Sequence, residues 1–520
     1  MCGILMSPIG DHAKRSSLHI KPRGPDNNKS VEYKDKLFVF YRLAINDLSD
    51  NGMQPFETDD FIFMCNGEIY NHKHLVNTFC YTLTSESDCE IIPYLIRDFG
   101  IEVALSMIQG VFAFIFYDKR TDHYLVARDR VGIKSLYTGV NDKNISFCSE
   151  MKGLIDTCSY CNMFPAGNFY DSKHGTFTPY ESMDFDEMNS VELSTEVIKK
   201  EIKSLLVEAV KVRCISSDRP IGCFLSGGLD SSLIAAIVCK HHTDGKVKTF
   251  SVGLENATDL LAARKVATHI GSDHHELILT EKQMLDAIPM VIKRIESYDI
   301  TTVRASTPMV LLSDWIKEHF DTTVIFSGEG ADELSGSYKY FNNSPGFTET
   351  QIECTRLLKD LQYFDVLRCD KCVSGSGLEA RVPFLDFNFV KFYMRIHPSL
   401  KDNSQIEKLL LRESFKDDDI LPLDILYRKK EAFSDGCSSV ENSWFDIINT
   451  HCDRIISDQE YDTGLAIFDK LHIKPISKES YWYLTIFCEY YPGQEHIVPY
   501  FWLPKWTNMK KPPISARLIL

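Results

Sequence analysis

Ile221-Gly222-Cys223-Phe224-Leu225-Ser226-Gly227-Gly228-Leu229-Asp230-Ser231-Ser232 decides the fold of the longer half of this chain. Its first five residues form a short apolar run, as expected of a strand buried on both faces. The stretch after it is rich in Ala, Ile and Leu and predicts a helix over 231–240. Between them lies a loop with two glycines and three hydroxyls. The glycines let backbone N–H groups approach an anion, the serines add donors, and the helix N-terminus favours negative charge. Asp230 would repel a bare phosphate. It fits a loop in which a divalent cation bridges carboxylate and phosphate oxygens. An ordinary Gly-rich turn between strand and helix needs neither three hydroxyls nor an aspartate. The pattern G-x-x-x-x-G-K-[ST] does not occur, so the loop is not of the Walker type.

Outward from this loop the pattern repeats. A helix is expected over about 195–213, a strand at Thr249-Phe250-Ser251-Val252-Gly253, a helix over 258–270 and a strand at Thr323-Val324-Ile325-Phe326. Strands alternating with helices imply a parallel α/β sheet. Residues beyond 350 read as mainly helical, ending in a partly docked tail, Lys505–Leu520. Upstream, the polar, acidic stretch from about 180 to 194 reads as a linker. Residues 1–150 differ in kind. Short apolar runs such as Phe61-Ile62-Phe63-Met64 and Val111-Phe112-Ala113-Phe114-Ile115-Phe116 predict an antiparallel β region. Asn51-Gly52 and Asn66-Gly67 read as turns between them, and a helix is expected over about 88–99. The expected architecture is an α+β N-terminal domain of layered antiparallel sheets over 2–180. An α/β parallel-sheet domain with a largely helical C-terminal part follows over 195–520.

Composition bounds the function. A chain of 520 residues is too long for one core, since domains hold roughly 100–200 residues. A net charge of −16 argues against a broad nucleic-acid surface but leaves room for a local phosphate pocket. No apolar run suits a membrane span, and the first residues lack a signal-peptide core. With 16 cysteines and no such signal, reduced thiols and a cytoplasmic location are expected. Two CxxC pairs, Cys158/Cys161 and Cys369/Cys372, could together make a four-thiolate zinc site; incidental spacing in a cysteine-rich chain is the preferred reading.

The chain opens Met1-Cys2-Gly3-Ile4. Removal of Met1 would place a thiol nucleophile and a free α-amine on one residue. Such an amine titrates near pKa 7.7–8.0, so it can activate the thiol as a base.

Taken together, Cys2-Gly3-Ile4 and the Ser226–Ser232 loop resemble the glutamine-dependent asparagine synthetases. In these, an N-terminal-nucleophile glutaminase is fused to an ATP pyrophosphatase of the N type. The resemblance runs through Arg23-Gly24-Pro25-Asp26, Asn66-Gly67-Glu68-Ile69-Tyr70-Asn71, Glu296-Ser297-Tyr298-Asp299 and Thr301-Thr302-Val303-Arg304-Ala305-Ser306. It continues through Ser327-Gly328-Glu329-Gly330-Ala331-Asp332-Glu333, Glu379-Ala380-Arg381-Val382-Pro383-Phe384-Leu385-Asp386 and Arg428-Lys429-Lys430-Glu431-Ala432-Phe433-Ser434-Asp435-Gly436.

The resemblance implies that Cys2 attacks the amide of glutamine, with Asn66 and the N–H of Gly67 as the oxyanion hole. It implies a glutamine site of Arg42, Leu43, Ala44, Ile45, Asn46, Asn66, Gly67, Glu68 and Asp88. Arg42 would grip the α-carboxylate, and Glu68 with Asp88 the α-ammonium. In the second half it implies an ATP site of Leu225, Ser226, Gly227, Gly228, Asp230, Ser231, Ser232, Val252, Ser327 and Gly328. Asp230 and Asp332 become Mg²⁺ ligands, Lys430 the cation facing the phosphates, and Glu329 a residue linked to adenylate chemistry. Arg381 and Asp386 could equally form a structural ion pair and are left out of the site. Glutamine, aspartate and ATP are the implied substrates, and a homodimer the implied assembly, with no nucleic-acid or membrane partner. Two features depart from the family pattern: only 20 residues separate Cys2 from Arg23, and Asn46 stands where an aliphatic residue is usual. Two rivals are an enzyme that amidates or cyclises another carboxylate, and a catalytically dead regulatory protein. Retention of Cys2 opposes the cyclising kind. Joint retention of Cys2, Asn66, Asp230, Asp332 and Lys430 opposes the dead copy.

Overall fold

The computed structural model describes residues 1–141, 144–186, 193–401, 406–439 and 441–507. Part of the expected linker (187–192) and most of the expected tail (508–520) lie outside the described residues. The chain divides into two compact units. One comprises Met1–Met183, Ile215–Pro220 and Val373–Ala380; the other comprises Asp184–Cys214, Ile221–Cys372 and Arg381–Leu520.

The first unit is built on two antiparallel sheets. Its strands are β1 (Gly3–Pro8), β2 (Asn27–Tyr33), β3 (Lys36–Arg42), β4 (Phe56–Glu57), β5 (Phe61–Ile69), β6 (Gly110–Asp118), β7 (His123–Arg128), β8 (Tyr137–Asn141), β9 (Asn144–Cys148), β10 (Tyr160–Met163), β11 (Asn168–Asp171) and β12 (Thr176–Pro179). The sheet orders are β10-β8-β9-β1-β3-β2 and β12-β11-β7-β6-β5-β4. Ile4, Met6, Phe38 and Phe40 of the first sheet pack with Ile62, Met64, Ala113 and Ile115 of the second. The alternate residues Phe63, Cys65, Phe112 and Phe114 pack with Ile92, Leu95, Ala104 and Leu105. These last four lie on the helices Ile91–Phe99 and Ile101–Met107. The second sheet is therefore covered on both faces. That explains why β5 and β6 read as continuous apolar runs instead of alternating ones.

One expectation is overturned. Asn66-Gly67 is not a turn: both residues lie inside β5, opposite Ala113 and Phe112 of β6. The glycine answers a close approach. A Cβ on Gly67 would sit 2.8 Å from Phe112 Cα, which no side chain tolerates.

The second unit contains β13 (Ile221–Phe224), β14 (Lys248–Leu254), β15 (Asp273–Leu279) and β16 (Val324–Phe326). They are parallel neighbours in the order β15-β14-β13-β16. The expected helices appear as Thr195–Ile215, Leu229–His241 and Thr258–Ile270. Leu233, Ile234, Ile237 and Val238 of the second are buried, as its apolar composition requires. Strand β15 was missed in the sequence; its residues Asp273-His274-His275-Glu276 are too polar to signal a buried strand. Beyond 350 helices dominate, including Phe347–Asp360, Trp444–Ile455 and Lys478–Tyr490. Because β14 and β16 flank β13 on opposite sides, the order reverses at β13. Such a switch point opens a crevice at the C-terminal ends of the strands. The loop that follows β13 is Leu225–Gly228.

Candidate active sites

In the first unit Cys2 lies at the head of β1. Its backbone N–H donates to Asn66 Oδ1 at 2.8 Å, its carbonyl accepts from Arg23 Nε at 3.0 Å, and its thiol contacts Leu43 O at 3.6 Å. Met1 is only 2% exposed, and its ammonium lies 3.7 Å from Glu379. Burial pushes the Cys2 thiol up, and the neighbouring ammonium only partly opposes it. Burial pulls the Met1 amine down against the attraction of Glu379. Asn66 is fully buried, and its Nδ2 has no hydrogen-bond partner among the described residues. An orphaned amide donor beside a cysteine costs free energy unless a ligand oxygen meets it.

Arg42, Leu43, Ile45, Asn46, Gly67, Glu68 and Asp88 line one small cleft with Cys2. Arg42 is held in place by donating to Ser49 O at 2.6 Å and to Asp47 O. Asn46 Nδ2 donates to Glu68 Oε2 at 2.7 Å, so this unusual residue orients an expected ammonium ligand. Asp88 accepts from the Ile69 N–H at 2.5 Å, and burial raises its carboxyl. Asn66, buried behind Cys2, and Ala44 do not line the cleft. The Ala44 N–H is spent on Asp26 Oδ2 at 3.0 Å.

In the second unit a cavity of about 250 Å³ opens at the switch point. Leu225, Ser226, Gly228, Asp230, Ser231, Val252, Ser327 and Gly328 line it, as do Glu329, Asp332 and Lys430. The loop is braced from within: Ser226 Oγ lies 2.9 Å from Ser231 Oγ, and the Gly228 N–H donates to Ser226 Oγ at 3.3 Å. Gly227 and Ser232 do not line the cavity. Gly227 adopts φ +72 against the helix Thr258–Ile270, where a Cβ would lie 2.5 Å from Ala263 N. Ser232 is buried behind the loop.

The charges are tightly arranged. Lys430 Nζ bonds Asp332 Oδ2. Lys408, which sequence reading missed, has its Nζ 2.5 Å from both Asp230 Oδ2 and Asp332 Oδ1. Burial alone would raise the Asp332 carboxyl, but Lys408 and Lys430 outweigh it and hold it well below the usual range. Burial works against the Lys430 ammonium, and Asp332 with Asp230 reverses that and holds it above its ordinary value. Glu329 pairs with Arg368 at 2.8 Å, yet burial still raises its carboxyl. Lys408 carries no local sequence signal, since a lone lysine in a polar stretch usually faces solvent. Asp386 bonds Arg213 at 2.9 Å, and Arg381 donates to Arg213 O. Cys369 and Cys372 are buried on the helix Asp365–Ser374, and Cys161 lies in β10. All the cysteines are free. No described helix is long and apolar enough to cross a membrane.

Fold and sites define an enzyme of two parts, one built around a cysteine beside the chain start and the other around a phosphate loop. Residues 1–192 match the glutamine amidotransferase domain family, and residues 201–352 and 344–510 match the asparagine synthase family. The chain is 40% identical to the glutamine-hydrolysing asparagine synthetase of Gallus gallus, over 97% of this chain and 95% of that one. It is 39% identical to that of Bos taurus and 38% to that of Homo sapiens, with the same coverage. A solved structure titled as the allosteric regulatory enzyme of purine biosynthesis aligns at 13% identity with a TM-score of 0.31. That alignment covers 53% of this chain and 80% of its own. The chain belongs to the family of glutamine-hydrolysing asparagine synthetases.

Proposed function

We propose that the protein converts aspartate to asparagine, consuming ATP and taking its nitrogen from glutamine. Residues 2–180 act as the glutaminase domain and 195–520 as the synthetase domain. In the first, Cys2, freed of Met1, attacks the glutamine side-chain amide. Its α-amine takes the thiol proton, and Asn66 Nδ2 with the Gly67 N–H receives the oxyanion. Arg42 holds the α-carboxylate, and Glu68 and Asp88 hold the α-ammonium. The observation that carries this reading is Asn66. One side-chain oxygen fixes the Cys2 nitrogen, and the other arm of the same amide is a buried donor without a partner among the described residues.

In the synthetase domain the Ser226–Ser231 hydroxyls and backbone N–H groups cradle the phosphates. The aspartate side chain attacks the α-phosphorus, giving β-aspartyl-AMP and pyrophosphate, and ammonia then displaces AMP. Lys430 offsets the charge gathered at the phosphates, and Glu329 serves the adenylate. The donor set fits Mg²⁺: Asp230 and Asp332 are hard oxygen ligands, and Asp230 Oδ1 is buried without a hydrogen-bond partner among the described residues. When bound there, Mg²⁺ neutralises phosphate charge. The same reading makes the protein a cytoplasmic homodimer, which rests on the family resemblance and on the reduced thiols.

The test is a mixture of aspartate, ATP and glutamine with Mg²⁺. AMP, glutamate and asparagine are expected to accumulate together. Glutamate release without aspartate-dependent AMP would overturn the ligase half.

A further inference from the structure

Asp230 begins the helix after β13, and Asp332 begins the short helix Ala331–Ser335 after β16. Two carboxylates facing one another in a cavity repel unless a cation lies between them. In this structure that cation is part of the chain. The Lys408 ammonium bridges the two at 2.5 Å each, its side chain only 1% exposed, while Lys430 takes the other oxygen of Asp332. Two negative charges thus meet two positive ones, and the group is neutral. A metal held by the same two carboxylates would compete with the ammonium that already spans them.

The lysine is built for movement at its tip alone. Its backbone adopts φ +58 immediately before the helix Leu409–Phe415, and its carbonyl accepts from Arg412 N at 3.0 Å. The anchor is fixed, and any displacement of the ammonium must come from rotation within the four-carbon stem.

We propose that Lys408 is an internal counter-cation that keeps the Asp230–Asp332 pair closed to divalent metal until nucleotide phosphates draw its ammonium away. Metal binding is then conditional on nucleotide. This rests on the reading of the cavity as the nucleotide and metal site.

The test uses the full chain and Mn²⁺, whose free form is counted by electron paramagnetic resonance, so it needs no turnover. Without nucleotide, Lys408→Met is expected to bind Mn²⁺ at least tenfold more tightly than the wild type. Adding Asp230→Asn to it should abolish the gain. Lys408→Arg, which keeps the charge, should stay as closed as the wild type. With a non-hydrolysable ATP analogue, the wild type should bind Mn²⁺ as tightly as Lys408→Met. Equal affinity of wild type and Lys408→Met without nucleotide, with Lys408→Met still showing a native melting transition, overturns the inference. So does a gain that survives Asp230→Asn. Failure of the asparagine synthesis assay alone would instead strike the functional reading.

Discussion

In the proposed function two residues concentrate the chemistry. Asn66 both accepts from the Cys2 nitrogen and, among the described residues, holds an idle donor in the same place. Replacing it with alanine is expected to lower glutamine hydrolysis by about 10²–10³, since losing one oxyanion donor typically costs roughly 2.7–4 kcal/mol. Glutamate release by the purified variant reads this directly; a loss under threefold would remove Asn66 from the oxyanion hole. Lys430 is its counterpart in the synthetase cavity. Lys430→Ala should slow aspartate-dependent pyrophosphate release by a similar factor while leaving glutamine hydrolysis unchanged. Arginine should restore little, because a planar fork does not place charge as an ammonium does. Near wild-type pyrophosphate release from a folded Lys430→Ala would make this lysine an onlooker.

At the scale of the element, glycines mark where backbone must come close. Gly227→Ala should weaken ATP binding at least tenfold, since it forces a left-handed residue against the helix Thr258–Ile270. Equilibrium binding of ATP checks this, and unchanged affinity would mean the loop adapts. The strand–loop–helix unit at 221–241 was plain in the sequence because its apolar run, glycines and helix formers all agree. Asn66-Gly67 was misread as a turn because its identity as a dipeptide is local, whereas its place in β5 is decided by pairing with β6 more than 40 residues on. Strand β15 escaped notice because an edge strand with half-exposed histidines lacks an apolar signature. Lys408 was invisible for another reason. Its partners lie 178 residues away at Asp230 and 76 residues away at Asp332, and no spacing rule joins them.

For the whole molecule, the proposed function assigns each half of the overall reaction to its own unit. Cys2→Ala should therefore abolish glutamine-driven asparagine formation yet preserve formation from ammonium salts. Product analysis with each nitrogen source decides it, and loss of both activities in a folded variant would refute independent sites. The burial of Met1 has a consequence for how the enzyme comes into being. On the proposed function Met1 must be cut away to free Cys2, and Met1 is only 2% exposed in the finished fold. Folding and trimming are thus in a race, and a chain that folds first hides its own cleavage point. Unprocessed protein, once native, should resist methionine aminopeptidase; in denaturant it should be trimmed by a denaturant-tolerant form of that enzyme, and only then refold into an active glutaminase. Intact mass before and after each step reads the outcome, and ready trimming of the native form would show that the doorway stays open. If it stays shut, the moment of activation is set at the ribosome, before the first strand finds its neighbours.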